Sequence, residues 1–153
     1  MKSLPINNDP YQVYFFTCPI RGPFSFAVHP WVVFIKNNKV TRLEVLAIKN
    51  EKYQFYGYIH KNLYNNPTKG LRKLFKKNEF LKSTLLGSIS GNKNSTAKHL
   101  IDFIEEMTPF YPHQENYVLY PGPNSNTYIA WILQKFPELK IKLPWNAFGK
   151  NFK

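Results

Sequence analysis

The sequence predicts an α+β domain, an antiparallel sheet with helices packed on one face. Three observations lead there. Aromatic and β-branched segments with strand character crowd the first sixty residues, and the two clearest helical stripes come later, over about 95–107 and 127–136. Strands followed by helices settle into separate layers rather than alternating βαβ units. Finally, Asn37-Asn38 separates two strand candidates by two residues that tolerate positive φ, which fits a tight hairpin and hence an antiparallel pair.

A chain of 153 residues can bury one real core, so residues 1–10 are expected to form a flexible arm and 11–153 a single globular domain. Aromatics make up 17% of the chain, too many for a disordered one. The excess of 21 basic over 9 acidic residues gives +12, which draws anionic surfaces. With Cys18 as the only cysteine, an internal disulfide and a cysteine-based metal cluster are excluded. No stretch approaches the roughly 18 apolar residues of a membrane span. Asn7, Asn8 and Asp9 interrupt any secretory apolar region, so the chain reads as soluble and cytoplasmic.

Tyr11 to Thr17 is the first strand candidate, broken by the turn residues Arg21-Gly22-Pro23. Phe24 to Lys36 and Val40 to Ile48 form the hairpin. If Lys36 pairs with Lys39, then His29, Trp31, Glu44 and Leu46 share one face, with Glu44 diagonal to His29. Pro30 cannot donate to a ladder, so His29 is expected at a bend or an edge. Tyr53 to His60 reads as a fourth strand and Ser83 to Ser90 as a weak fifth. Between them Leu71, Leu74 and Phe75 suggest a short amphipathic helix, whose outer face would carry Lys69, Arg72, Lys73, Lys76 and Lys77. Ser95 is a natural N-cap for the stripe Ala97, Leu100, Ile101, Ile104 and Met107. Asn116 to Tyr120 reads as a short strand leading into Pro121-Gly122-Pro123-Asn124-Ser125-Asn126-Thr127-Tyr128, turn chemistry placed directly before a helix. That second helix has Tyr128, Trp131, Ile132 and Leu133 to bury, and the face of Trp31 and Leu46 is expected to receive them. The tail from Pro137 is irregular, with Leu143, Trp145 and Phe148 expected to pack back.

Metal binding finds no support, since His29, His60, His99 and His113 fall on separate elements without helical ligand spacing. No glycine-rich phosphate loop or convincing carboxylate pair is present, and no cofactor is expected. A nucleophile and a base remain. Ser125 opens a helix, where N–H groups and the macrodipole favour negative charge. Serine is a poor nucleophile unaided; His29, oriented by Glu44, would supply the base. Trp31, Asn124, Asn126 and Thr127 are the side chains expected to contact substrate. A competing possibility is nucleic-acid binding, with Tyr53, Phe55, Tyr56 and Tyr58 as stacking platforms beside the basic run, which is expected at least to bind polyanions weakly.

His29-Pro30-Trp31, Arg42-x-Glu44 and the 121–128 motif resemble the signature of domain of unknown function 3750, a bacterial family without an assigned activity. The resemblance extends to Tyr111-Pro112 and to Leu143-Pro144-x-Asn146-Ala147-x-Gly149-Lys150; Pro30 stands where a threonine-like residue would be expected. More distantly, a strand histidine followed by Asn-Ser-Asn-Thr-Tyr at a helix start resembles the permuted papain-like (cysteine-peptidase-like) thiol hydrolases, with serine replacing the nucleophilic cysteine. These include the desumoylating isopeptidases and the lecithin:retinol acyltransferase relatives. That resemblance implies a papain-like fold and hydrolysis or transfer at an acyl or amide bond. A catalytically silent binding domain on the same cleft, and a basic nucleic-acid-binding module, are the alternatives.

Overall fold

The computed structural model describes residues 4–52, 54–76 and 78–153. Five strands run in the order β1 (Tyr11–Pro19), β2 (Val28–Lys36), β3 (Lys39–Lys49), β4 (Phe55–Lys61) and β5 (Thr84–Gly91), followed by α1 (Thr96–Met107) and α2 (Ser125–Lys135). They form one open antiparallel sheet, ordered β4-β3-β2-β1-β5. The hairpin closes as its turn residues require: Lys36 pairs with Lys39, and Asn37 and Asn38 take φ of 50° and 64°. The ladder from β2 to β3 ends at Val32 and Leu43. Pro30, which has no N–H to give, lies beyond that end.

The two faces of the sheet are covered differently. One presents Val13, Phe15, Val32, Phe34, Leu43 and Val45 to both helices, whose Leu100, Ile101, Ile104, Tyr128, Ile129 and Ile132 complete the larger core. The other presents Tyr14, Phe16, Cys18, Trp31, Val33 and Ile35 and is closed by loop residues such as Leu71. The expectation that the second helix packs on the Trp31 face is therefore corrected. Its stripe meets the opposite face because Ile129 is buried there with Tyr128 and Ile132, and only its N-terminus reaches the end of β2.

The amphipathic helix expected around Leu71 to Phe75 does not form either. Arg42 donates to the carbonyls of Pro67 (3.2 Å) and Lys69, and Trp31 Nε1 donates to Pro67 at 3.0 Å, so these carbonyls serve the sheet instead. The chain folds back as an irregular hairpin, with Arg72 bridged to Phe80 and Leu81 N–H donating to the Leu71 carbonyl. Residues 116–120 are not a strand, although Tyr117 N–H reaches the Phe55 carbonyl. Among the tail residues Leu143 packs on the larger core, while Trp145 is exposed. Residues 4–10 are tied to the sheet: the Pro5 carbonyl accepts from Tyr14 Oη and the Asn7 amide donates to Ser90 Oγ.

Candidate functional site

His29 is positioned by a charged cluster buried beneath the loop-covered face. Its Nε2 donates to Glu44 Oε2 at 2.8 Å, and the other edge of that carboxylate receives Arg42 Nε at 2.6 Å. The hairpin register makes this possible, since it leaves Glu44 diagonal to His29 and Arg42 two residues along the same face. Burial alone would raise the Glu44 carboxyl, but the hydrogen bonds and charges of His29 and Arg42 outweigh it and hold the group below its ordinary range. An ionised carboxylate only accepts, so Nε2 must carry the proton, and the basic lone pair of neutral His29 lies on Nδ1. Trp31 lies under the cluster, stacked on the His29 ring with centroids 6.1 Å apart, and the Arg42 guanidinium lies 4.3 Å from its ring centre.

Ser125 is positioned by the start of α2. Asn124 is the N-cap: its Oδ1 accepts from Asn126 N–H at 2.9 Å, and its own N–H donates to Thr127 Oγ1 at 3.0 Å. This cap is anchored further than a helix needs. Asn124 Nδ2 donates to the carbonyls of Val118, Leu119 and Phe148, and Thr127 Oγ1 donates to Gly149. Gly149, at φ 90°, lets the tail approach so closely that a Cβ there would overlap the Asn124 amide. Asn126 Nδ2 donates to Phe148 (2.9 Å) and to the Val28 carbonyl at 3.1 Å, which ties the residue after Ser125 to the residue before His29.

His29 and Ser125 consequently line one pocket of about 290 Å³, with Asn124 and Asn126 as its other polar members. Its remaining walls are apolar or aromatic, chiefly Ile20, Phe24, Phe26, Tyr117, Leu119 and Phe148. No hydrogen bond joins His29 to Ser125 among the described residues; the Tyr117 ring lines the pocket beside the serine. Burial pushes the Tyr117 phenol up, and the neighbouring Ser125 draws it part of the way back. Asn126 Oδ1 is buried without a hydrogen-bond partner, an acceptor left over in the pocket wall.

Of the expected substrate contacts, Asn124 and Asn126 line the pocket, whereas Trp31 and Thr127 do not. Trp31 is fully buried as the support of the cluster, and the Thr127 hydroxyl is spent on the cap and on Gly149. Lys69 and Arg72 gather around Phe80, while Lys73 and Lys76 both pair with Glu79; Lys77 lies outside the described residues. The stacking platform loses its continuity, because Phe55 pairs with Lys49 and Tyr58 with Leu46, which puts the two rings on opposite faces of β4. Tyr53 lies outside the described residues. Sequence reasoning missed Tyr117 and the wall of Phe24, Phe26 and Phe148. An aromatic in an irregular segment carries no periodicity that reveals its direction. Among the described residues no group of three or more His, Cys, Asp or Glu is placed to hold a metal.

Fold and pocket together define an α+β domain with a five-stranded open antiparallel sheet, two helices on one face and a helix N-terminus meeting a strand histidine at the sheet's end. The family model described as "Protein of unknown function (DUF3750)" matches residues 10–152, and the chain belongs to that family. Neither the curated proteins nor the solved structures provide a match.

Proposed function

We propose that the chain is a hydrolase or transferase acting at an acyl or amide bond, on a permuted papain-like framework, with Ser125 as nucleophile, His29 as base and Glu44 as orienter. One observation carries the reading: a histidine fixed in its tautomer by a buried, ionised carboxylate lines the same apolar pocket as a serine at a helix N-terminus. The Ser125 proton passes to His29 Nδ1, directly or through one water, as Oγ bonds to the carbonyl carbon. The C–N or C–O bond then breaks, and His29 returns the proton to the leaving group. Water or an acceptor nucleophile releases the acyl group by the same route. Ser125 N–H, in the first turn of α2, and the hydroxyl of Tyr117 in the pocket wall are the donors available to the oxyanion.

A second reading is favoured by the absence of a hydrogen bond between Ser125 and His29 among the described residues, which leaves the serine without its base in the resting chain. On that reading the pocket binds an apolar ligand and does no chemistry.

Ser125→Cys separates the two. A thiol at a helix N-terminus beside a basic imidazole gains thiolate character, so iodoacetamide is expected to label position 125 faster than Cys18. Cys18 is buried and its thiol is pushed up to about 11. Adding His29→Ala should slow the labelling at position 125. Labelling unaffected by His29 overturns the catalytic pair and leaves the binding domain.

A further inference from the structure

Phe75 is 96% exposed, and Leu74 beside it is 53% exposed. They sit at the tip of the irregular hairpin that replaces the expected helix, where Glu79 N–H turns back onto the Lys76 carbonyl. A tip of two bare apolar side chains is costly in water and unusual for a loop. Cations surround it. Arg21, Lys73 and Lys76 line the same shallow groove as Leu74 and Phe75, and Arg72 is exposed nearby in the chain. Among the described residues Glu79 is the single acid paired there, and it faces both Lys73 and Lys76, so positive charge remains in excess.

The tip does not stand alone. Leu74 packs against Gly22, where an added Cβ would lie 3.2 Å from Leu74 Cδ1. From Gly22 the chain runs directly into Phe24 and Phe26, which are half exposed and also form the wall of the Ser125 pocket. Ile20 lines both the groove and the pocket. Tyr120, mostly exposed, continues the aromatic rim on the far side of the pocket. Exposed apolar tips, amphipathic aromatics and excess cations on contiguous segments match the layered chemistry of a membrane interface. There apolar side chains enter the acyl boundary and cations meet anionic headgroups.

We infer that the surface formed by residues 20–26 and the Leu74-Phe75 tip docks on an anionic lipid bilayer, with the pocket opening beside the docked surface. A bilayer is favoured over nucleic acid because Phe75 at the tip is 96% exposed, more than the paired Lys73 and Lys76 beside it (42% and 65%). A phosphate-tracking groove would instead require cations at the tip and stacked rings on one face. The inference rests on none of the Ser125 chemistry and stands whether or not the pocket is catalytic.

Flotation of the full chain with vesicles of phosphatidylcholine, with and without phosphatidylglycerol, tests it. Binding is expected only with phosphatidylglycerol and should fall as salt rises. Phe75→Ala should weaken it about tenfold, as expected for withdrawing one buried aromatic from the interface. Lys73→Gln with Lys76→Gln should weaken binding and flatten the salt dependence. Phe110→Ala, another exposed phenylalanine (74%) just after α1, should leave binding unchanged. Absence of binding, or binding to pure phosphatidylcholine of equal strength, overturns the proposal. Binding that Phe75→Ala does not alter, with double-stranded DNA competing as well as the vesicles, assigns the cations to soluble polyanions and also overturns it.

Discussion

The two faces of this sheet both bury an apolar cluster, but only one of them adds buried charges. Beneath the helices, strand residues and helical stripes meet as an apolar core, stabilised in proportion to the area removed from water. Beneath the loops, the sheet buries Arg42, Glu44 and His29 with Trp31, and the arginine holds the covering chain by its carbonyls. A buried ion pair is a poor way to gain stability, because desolvation consumes most of the attraction. Its presence on one face alone indicates that this face is arranged for the histidine at its end. The helical face makes the molecule stable; the loop face orients a side chain.

The largest effects should come from dividing the cluster. Arg42→Leu leaves the Glu44 carboxylate buried without its main cation and releases the Pro67 to Lys69 carbonyls, so a loss of about 3–5 kcal/mol is expected in urea unfolding. Arg42→Leu combined with Glu44→Leu should recover part of that loss, since no charge is stranded. A double variant no more stable than Arg42→Leu would mean that the loop bonds, not the charge, dominate. The same carboxylate gives the face a signature in pH. Its folded pKa is depressed, so its contribution is complete above the unfolded value of about 4.3 and is lost as pH falls through the folded value. Wild type should therefore lose stability in that acid window, and Glu44→Gln should show a flatter profile there. The apolar contacts of the helical face add no such dependence: Leu100→Ala should cost about 3 kcal/mol by cavity formation, equally at pH 4 and pH 7.

This contrast also explains how far the sequence could be read. The sheet, the hairpin register, the Ser95 cap and the α1 stripe were all legible, because period and turn chemistry are local signals. The His29–Glu44 contact followed from register alone. What failed was non-local. Leu71, Leu74 and Phe75 have helical spacing, but the carbonyls of Pro67 and Lys69 are claimed by residues some thirty positions earlier, and no local pattern reveals that claim. The face chosen by α2 was misjudged for a related reason. Both sheet faces are apolar enough to receive it, and the choice depends on which face the 61–83 loop already covers. The pocket's aromatic wall, drawn from the β1–β2 connection, residues 117–120 and the tail, was invisible until those irregular segments were placed together.

The smallest predicted effects test where α2 belongs, since its body lies on the helical face and its first turn at the end of the strand that carries His29. Both helices begin with a side-chain cap. Ser95 accepts from Lys98 N–H at 3.3 Å near solvent, and Ser95→Ala should cost about 1 kcal/mol, the ordinary worth of a cap. Ser95→Asp keeps an acceptor and adds a charge that the helix N-terminus favours, so it should be close to neutral. Asn124 also caps, but its amide donates to three carbonyls, and a carboxylate in its place would face those oxygens with nothing to give. Asn124→Asp should therefore be clearly destabilising, by about 2 kcal/mol, although it preserves the accepting oxygen. Thermal unfolding of the four single variants, adding Asn124→Ala to these, measures the difference. If aspartate is tolerated equally at 95 and 124, the amide's outward bonds contribute nothing and α2 begins like any other helix. If aspartate fails only at 124, the start of α2 is built as part of the pocket, held by the tail and by residues 118–119 rather than by its own first turn.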